Sequence, residues 1–385
     1  MKKYIVVVLG GIVHLGLVLA AKSEEPIRIP VAEQSLSKPA PVDAQGQIDQ
    51  ARGQFAEENV SDRLLDGHFA AGAGAYIMKP FFQNNPAFFT QTSSTITGPV
   101  SFTSITNMNQ HDFDWGMDAA PVIWLGYTSD CGLGARVRWW LFDQSSTTSA
   151  NSGPNTTINS AAAGGLSLAF PPPFISPLFP IVSNTPMILN SNLKLNVWDF
   201  EGTGKTELGR WMLLFSGGFR YAHLSQDYSA LQASVNETRP GLGILTIVIR
   251  ETDLLSSGHN FNGAGPKLAL EAIRPIGNSG LSLFANLRGS VLFGQSKQQV
   301  FQGTFTRVFS NPIIESVTSV ESVRDTVLPV AELELGAEFS RIWGAVRPFI
   351  RTGLIAQTWF DAGSAFTLDG NLGFLGLSVT AGLNY

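Results

Sequence analysis

The sequence predicts an all-β chain, a transmembrane antiparallel up-and-down β-barrel of about ten strands, with twelve the next even count it could hold. Three observations predict it. Charged residues are only 14% of the 385, yet the apolar fraction is an ordinary 44%, so the chain is poor in charge without carrying helical membrane spans. Its apolar residues alternate with small and polar ones at the period of a strand. Its connections alternate long and short along the chain, as they do when short turns face one side of a membrane and long loops the other.

The chain opens on an address. Lys2 and Lys3 precede an apolar run from Tyr4 to Leu19, and Ala20 and Ala21 supply small residues for cleavage, so 1–21 reads as a secretory signal peptide. Residues 22–66 are rich in Pro, Gln, Glu and Ala and show no period of two; they read as a periplasmic leader, partly disordered or helical. Cys131 stands alone, so no internal disulfide can form in the oxidising compartment beyond.

From 67 to 385 the alternation defines the barrel. The last segment is the plainest: Leu375, Leu377, Val379, Ala381, Leu383 and Tyr385 share one face, and Gly376, Ser378, Thr380 and Gly382 the other. Counting back places strands near 69–79, 115–128, 131–143, 191–201, 209–227, 258–274, 280–299, 326–341, 345–360 and 371–385. The even count puts both chain ends on the periplasmic side. Trp115, Trp139, Trp140, Trp198, Trp211, Trp343 and Trp359 fall near strand ends, as interfacial girdles require, whereas Trp124 is nearer mid-strand.

If the oily face meets lipid, charges line the lumen, because Arg or Lys on the lipid face costs about 2–4 kcal/mol at mid-membrane. The candidate pore-lining residues are Asp118, Arg136, Arg138, Arg220, Lys267, Glu271, Arg288, Glu332, Glu334, Glu338, Arg347 and Arg351. The rule fails in 191–201. There Leu193, Leu195 and Val197 share a phase with Asp199 and Glu201, and a β-bulge or a strand end near Trp198 is expected. Ten strands lie nearer the filled than the open end of barrel sizes, so a slim or gated path among mixed acid and base networks is expected. The loop 144–190 carries Phe170, Phe174 and Phe179 among prolines; a lid over its own barrel mouth is the default expectation.

Several motifs are set aside. Gly202-Thr-Gly-Lys-Thr206 lacks the leading glycine and following helix of a phosphate-binding loop and reads as a turn. His223 and His259 flank the loop 228–257 with Asp227 nearby, but no serine sits in a nucleophile turn, so no enzyme and no catalytic residue is expected. No spacing suggests a metal or another cofactor, and a net charge of −5 with scattered basic residues gives no nucleic-acid footprint. The expected partners are outer-membrane lipid, the barrel assembly machinery through the strand ending at Tyr385, and, as a candidate, further copies of the chain.

Four stretches carry a family resemblance: Gly134 to Trp140 (Gly-Ala-Arg-Val-Arg-Trp-Trp), Val197 to Glu201 (Val-Trp-Asp-Phe-Glu), Gly209 to Leu224, and Gly263 to Pro275. They resemble the Legionella-type major outer-membrane protein family, a group of pore-forming outer-membrane proteins, and the likeness spans most of 67–385. It implies a bacterial outer-membrane address and pore formation, and it names no catalytic residue. The alternative from the residues alone is a plugged barrel serving as a surface anchor or adhesin through its long loops.

Overall fold

The computed structural model describes residues 68–96, 102–151, 156–160, 186–238, 247–308 and 314–385. The expected signal peptide, the leader and the candidate lid residues Phe170, Phe174 and Phe179 lie outside the described residues. Among the described residues thirteen strands follow in chain order: β1 (His68–Phe82), β2 (Pro86–Ile96), β3 (Phe102–Asp112), β4 (Asp118–Thr128), β5 (Leu133–Ala150), β6 (Thr156–Ser160), β7 (Met187–Leu208), β8 (Trp211–Thr238), β9 (Ile247–Pro275), β10 (Leu281–Val308), β11 (Ile314–Ser340), β12 (Arg347–Trp359) and β13 (Leu372–Asn384).

Ten of them close an antiparallel barrel in the order β1-β13-β12-β11-β10-β9-β8-β7-β5-β4. The remaining three form a small sheet, β3-β2-β6, inside the stretches expected to be loops. Closure joins the two ends of the barrel sequence: Phe69 and Tyr385 exchange backbone hydrogen bonds of 2.9 and 2.8 Å. The short turns between β4 and β5, β7 and β8, β9 and β10, and β11 and β12 each hold a glycine at positive φ (Gly132, Gly209, Gly277 and Gly280, and Gly344), which lets adjacent strands reverse tightly.

Transverse rows across the register show where lipid lies. On the outer face of β7 to β11, Trp198, Tyr221, Ala264, Phe293 and Val327 stand side by side. Ten positions lower, Leu208 pairs Trp211, and Arg274 lies 5.3 Å over the Trp211 ring. Between these rows the outward side chains are apolar: Phe200, Phe219, Leu268 and Leu287 are all about half exposed or more. Eleven residues of β7, 198–208, therefore span the bilayer, matching the roughly 9–11 a tilted strand needs; in β9 the spanning segment is 264–274. β8 to β11, at 27–29 residues each, rise far above it, while β12, β13, β1 and β4 have only 11–15. One side of the barrel is a tall wall, the other a low rim.

Three of the tryptophans expected in the girdle face inward. Trp115, Trp140 and Trp359 are buried in the interior, and only Trp139, Trp198, Trp211 and Trp343 look outward. Trp124 also points inward. It stacks on Phe349 at 5.9 Å, and Gly72 leaves it room, since a Cβ there would lie 2.7 Å from the indole.

The expected bulge in 191–201 is absent. β5 and β7 pair without a break from Leu133 opposite Gly204 to Ala150 opposite Met187. Leu193, Leu195 and Val197 face inward with Asp199 and Glu201, and all are buried. Their neighbours Lys194, Asn196, Trp198 and Phe200 form the outer face. The oily phase of this strand packs a core instead of meeting lipid.

Candidate functional site in the barrel lumen

Strand alternation delivers twelve charged side chains to one layer of the lumen. β5 contributes Arg136 and Arg138, β7 Asp199 and Glu201, β8 Arg220, and β9 Lys267 and Glu271. Arg288 comes from β10, Glu332, Glu334 and Glu338 from β11, and Arg351 from β12. Asp199 is the hub: Arg138 and Arg220 each lie 2.7 Å away and Lys267 2.8 Å. Glu332 gathers Arg138 at 3.3 Å, Arg288 at 3.4 Å, and Arg220. Glu334 pairs Arg288 at 3.1 Å. Lower down, Glu201 holds Arg136 at 2.7 Å and Lys267, and Glu271 joins Arg136 at 3.4 Å to Arg351 at 2.7 Å. Arg351 closes on Glu338 at 2.5 Å, and Arg138 donates to the Tyr76 hydroxyl at 3.2 Å.

Six cations meet six anions, so the layer is neutral, and every member has a partner of opposite charge. That pairing is what makes burial tolerable. An ion taken from water into a low-dielectric interior loses several kcal/mol of solvation, and only good geometry returns it. Ten of the twelve candidate residues belong to this network. Asp118 and Arg347 do not: Asp118 stands at the upper end of β4 and accepts from the Ala119 amide at 2.8 Å, and Arg347 donates to Ser340 Oγ at 2.6 and 3.0 Å near the periplasmic rim. Asp199, Glu201 and Tyr76 join the network without being sequence candidates, the first two because Leu193, Leu195 and Val197 share their phase and leave the facing of that strand open in the sequence. The outward Trp198 and Phe200 beside them were the signal for the correct one.

Above the charges the lumen turns apolar. Trp140, Phe142, Leu195, Leu224, Phe261 and Phe374 fill it, each no more than 2% exposed. Tyr76 meets Trp140 edge-on at 6.0 Å, and Phe142 meets Phe374 at 5.1 Å. Barrel interiors of this class are ordinarily polar. Here the charged network is confined to the lower half, and above the apolar layer polar groups such as Gln226, Ser257 and Ser296, with His259, face inward.

Among the described residues, the mouth is covered by the connection between β12 and β13. Its Ala362, Ser364, Ala365 and Phe366 are buried. The tall wall holds its backbone: Gln226 Nε2 donates to the Ala362 carbonyl at 3.3 Å, and Ser257 Oγ to the Ala365 carbonyl at 2.6 Å. Tyr228 packs edge-on against Phe366 at 5.5 Å and Phe113 at 6.0 Å, and donates to the Ala87 carbonyl at 2.8 Å. The connection begins and ends at left-handed residues, Asp361 and Gly363 (φ 54° and 64°) and Gly370 (φ 116°), and the Gly363 amide bonds the Gly370 carbonyl at 2.9 Å. It is a compact strap on a narrow neck.

His223 and His259 lie on opposite faces of the wall. His223 points outward and bonds Asn262 at 2.7 Å; His259 points inward and bonds Ser296. They assemble no shared site with Asp227. His259 sits five positions above the spanning segment of β9, beside the strap. Burial, helped by Arg324, pushes its pKa down to about 4 from the usual 6.5. The unfolded chain therefore takes up this proton first as pH falls. The His259 contribution to stability is full above pH 6.5 and is lost as pH falls towards 4. His259→Gln should flatten that part of the melting-temperature profile against pH, and parallel profiles for the two proteins would refute the assignment.

With fold and lumen in place, comparison with known proteins decides the family. The family model for the Legionella pneumophila major outer membrane protein precursor matches residues 65–379. The chain belongs to that family. Family and barrel together place it in the outer membrane. No curated protein matches it. Among solved structures it is similar to the outer membrane protease OmpT of Escherichia coli (7% identity, 83% of this chain and 96% of that one, TM-score 0.38). It is also similar to the toluene transporter TodX of P. putida (9%, 83% and 89%, TM-score 0.27) and to a Pseudomonas aeruginosa FadL homologue (10%, 83% and 90%, TM-score 0.23).

Proposed function

We propose that this family member is a narrow gated channel for ions or small polar solutes, and that the structure is its closed state. The observation that carries the reading is the composition of the seal. A purely structural plug is served at least as well by hydrophobic side chains, which often replace buried ion pairs at no loss of stability. Here twelve charges are kept in the lumen, below an apolar layer and a mouth closed by a strap with glycines at its neck. Ion pairs can exchange partners as a solute passes; packed aliphatic side chains cannot offer it hydrogen bonds.

Conductance in planar bilayers tests this. Deleting 364–369 shortens the strap between residues that are already bonded to each other, so the barrel can close without it. The intact protein should give rare, small current steps and the deletion variant frequent, larger ones. Silence from both, with each shown folded by heat-modifiable gel migration, would sink the channel.

The second reading, a plugged barrel acting as a surface platform, is favoured by the height of β8 to β11, which carries most of their length outside the bilayer. Silence in both bilayer experiments would select it.

A further inference from the structure

Directly above the lipid boundary, the outer face of the tall wall changes character. The row containing Trp198, Tyr221 and Phe293 gives way to one of Asn196, His223, Asn262, Gln295 and Asp325, and then to Lys194, Ser225, Asn260, Lys297 and Val323. In these rows the wall holds a groove of about 540 Å³ lined by Asn260, Asn262, Gln295, Lys297, Glu321 and Val323. Gly258, at the next row of β9, has no side chain to close it from above.

The chemistry of the groove is specific. Three carboxamides converge there, each able to donate and accept. Asn262 Oδ1 is engaged by His223 at 2.7 Å and by the Tyr221 hydroxyl at 3.3 Å, which leaves its amide donors to point elsewhere. The amides of Asn260 and Gln295 make no side-chain hydrogen bond among the described residues. The lone cation, Lys297, is matched by Glu321 at 2.9 Å, and Gln299 holds the same carboxylate at 2.7 Å. A groove for a bare phosphate would carry unmatched cations. Neutral amides beside one balanced ion pair suit hydroxyl groups, which both donate and accept.

What lies below fixes the rest of the ligand. Phe293 and Val327, 57% and 50% exposed, begin the apolar wall immediately under the groove. An occupant that matches both surfaces carries hydroxyls at headgroup height and an acyl chain beneath them. We propose that this groove binds the saccharide headgroup of an outer-leaflet glycolipid, with its acyl chain lying along Phe293, Val291 and Leu268. The site faces away from the lumen and is independent of whether the channel conducts.

The test uses the full chain in nanodiscs of phosphatidylglycerol, with and without a glucosyl diacylglycerol, read by native mass spectrometry and by melting temperature. The protein should retain one glycolipid per barrel in preference to phospholipid, and melt higher with it. The double variant Asn260→Ala/Gln295→Ala should lose about tenfold in retention, the scale of one to two neutral hydrogen bonds. Its melting temperature in phosphatidylglycerol alone should stay unchanged, which reports an intact fold. Equal retention by the two proteins would overturn the site. Phospholipid competing on equal terms would overturn the saccharide, and free glucose binding as well as the glycolipid would overturn the lipid anchor.

Discussion

Asp199→Asn should cost the barrel about 3–5 kcal/mol, the range for removing one partner of a buried ion pair. Asp199 is fully buried and answers three cations at once, Arg138, Arg220 and Lys267. The amide keeps the size of the side chain and loses its charge. Arg138 and Arg220 then lean on Glu332, and Lys267 on Glu201, so the two remaining carboxylates serve every displaced cation. Urea unfolding from lipid vesicles measures the loss. A change under about 1 kcal/mol, the scale of an exposed pair, would mean that water reaches the layer and screens it.

Replacing the hub as a set should have the opposite consequence for stability. Arg138→Met, Asp199→Leu, Arg220→Met and Glu332→Leu together remove two cations and two anions. They leave Lys267 and Arg136 on Glu201, Arg351 on Glu271 and Glu338, and Arg288 on Glu334. No uncompensated charge remains buried, so the quadruple variant should fold with stability unchanged or raised by about 1–4 kcal/mol. In the strap-deleted background it should also stop conducting, because the apolar seal then extends down through the level of the hub. Stability retained and current lost would separate the two roles of the charges. Current that persists would show the ions passing elsewhere.

Much of this architecture was legible in the sequence, and for a physical reason. Lipid forbids charge on the outer face, so Arg136, Arg138, Arg288, Glu332 and Glu334 could be assigned to the lumen from alternation alone, the same alternation counted the strands, and unequal connections pointed to a barrel. The same rule does not run in reverse. Apolar side chains are excluded from neither face when the lumen is itself a packed core, which is why Leu193, Leu195 and Val197 were placed towards lipid and Trp140 and Trp359 in the girdle. The β2, β3 and β6 sheet was invisible because its Ser, Thr and Asn residues make hydrogen-bonded strands without an oily face. The strap was unreadable for a different reason. Phe366 lies among Ala, Ser and Gly in an ordinary-looking connection, and only the tall wall, through Gln226, Tyr228 and Ser257, gives it a place to dock.

The neutrality of the lumen layer also bears on how voltage could act. One elementary charge carried across the whole bilayer field couples to it by about 2.3 kcal/mol per 100 mV. Six positive and six negative side chains that move together carry no net gating charge. An opening that shifts the layer as a unit is therefore blind to membrane potential, and steep voltage dependence can arise only where the pairs come apart.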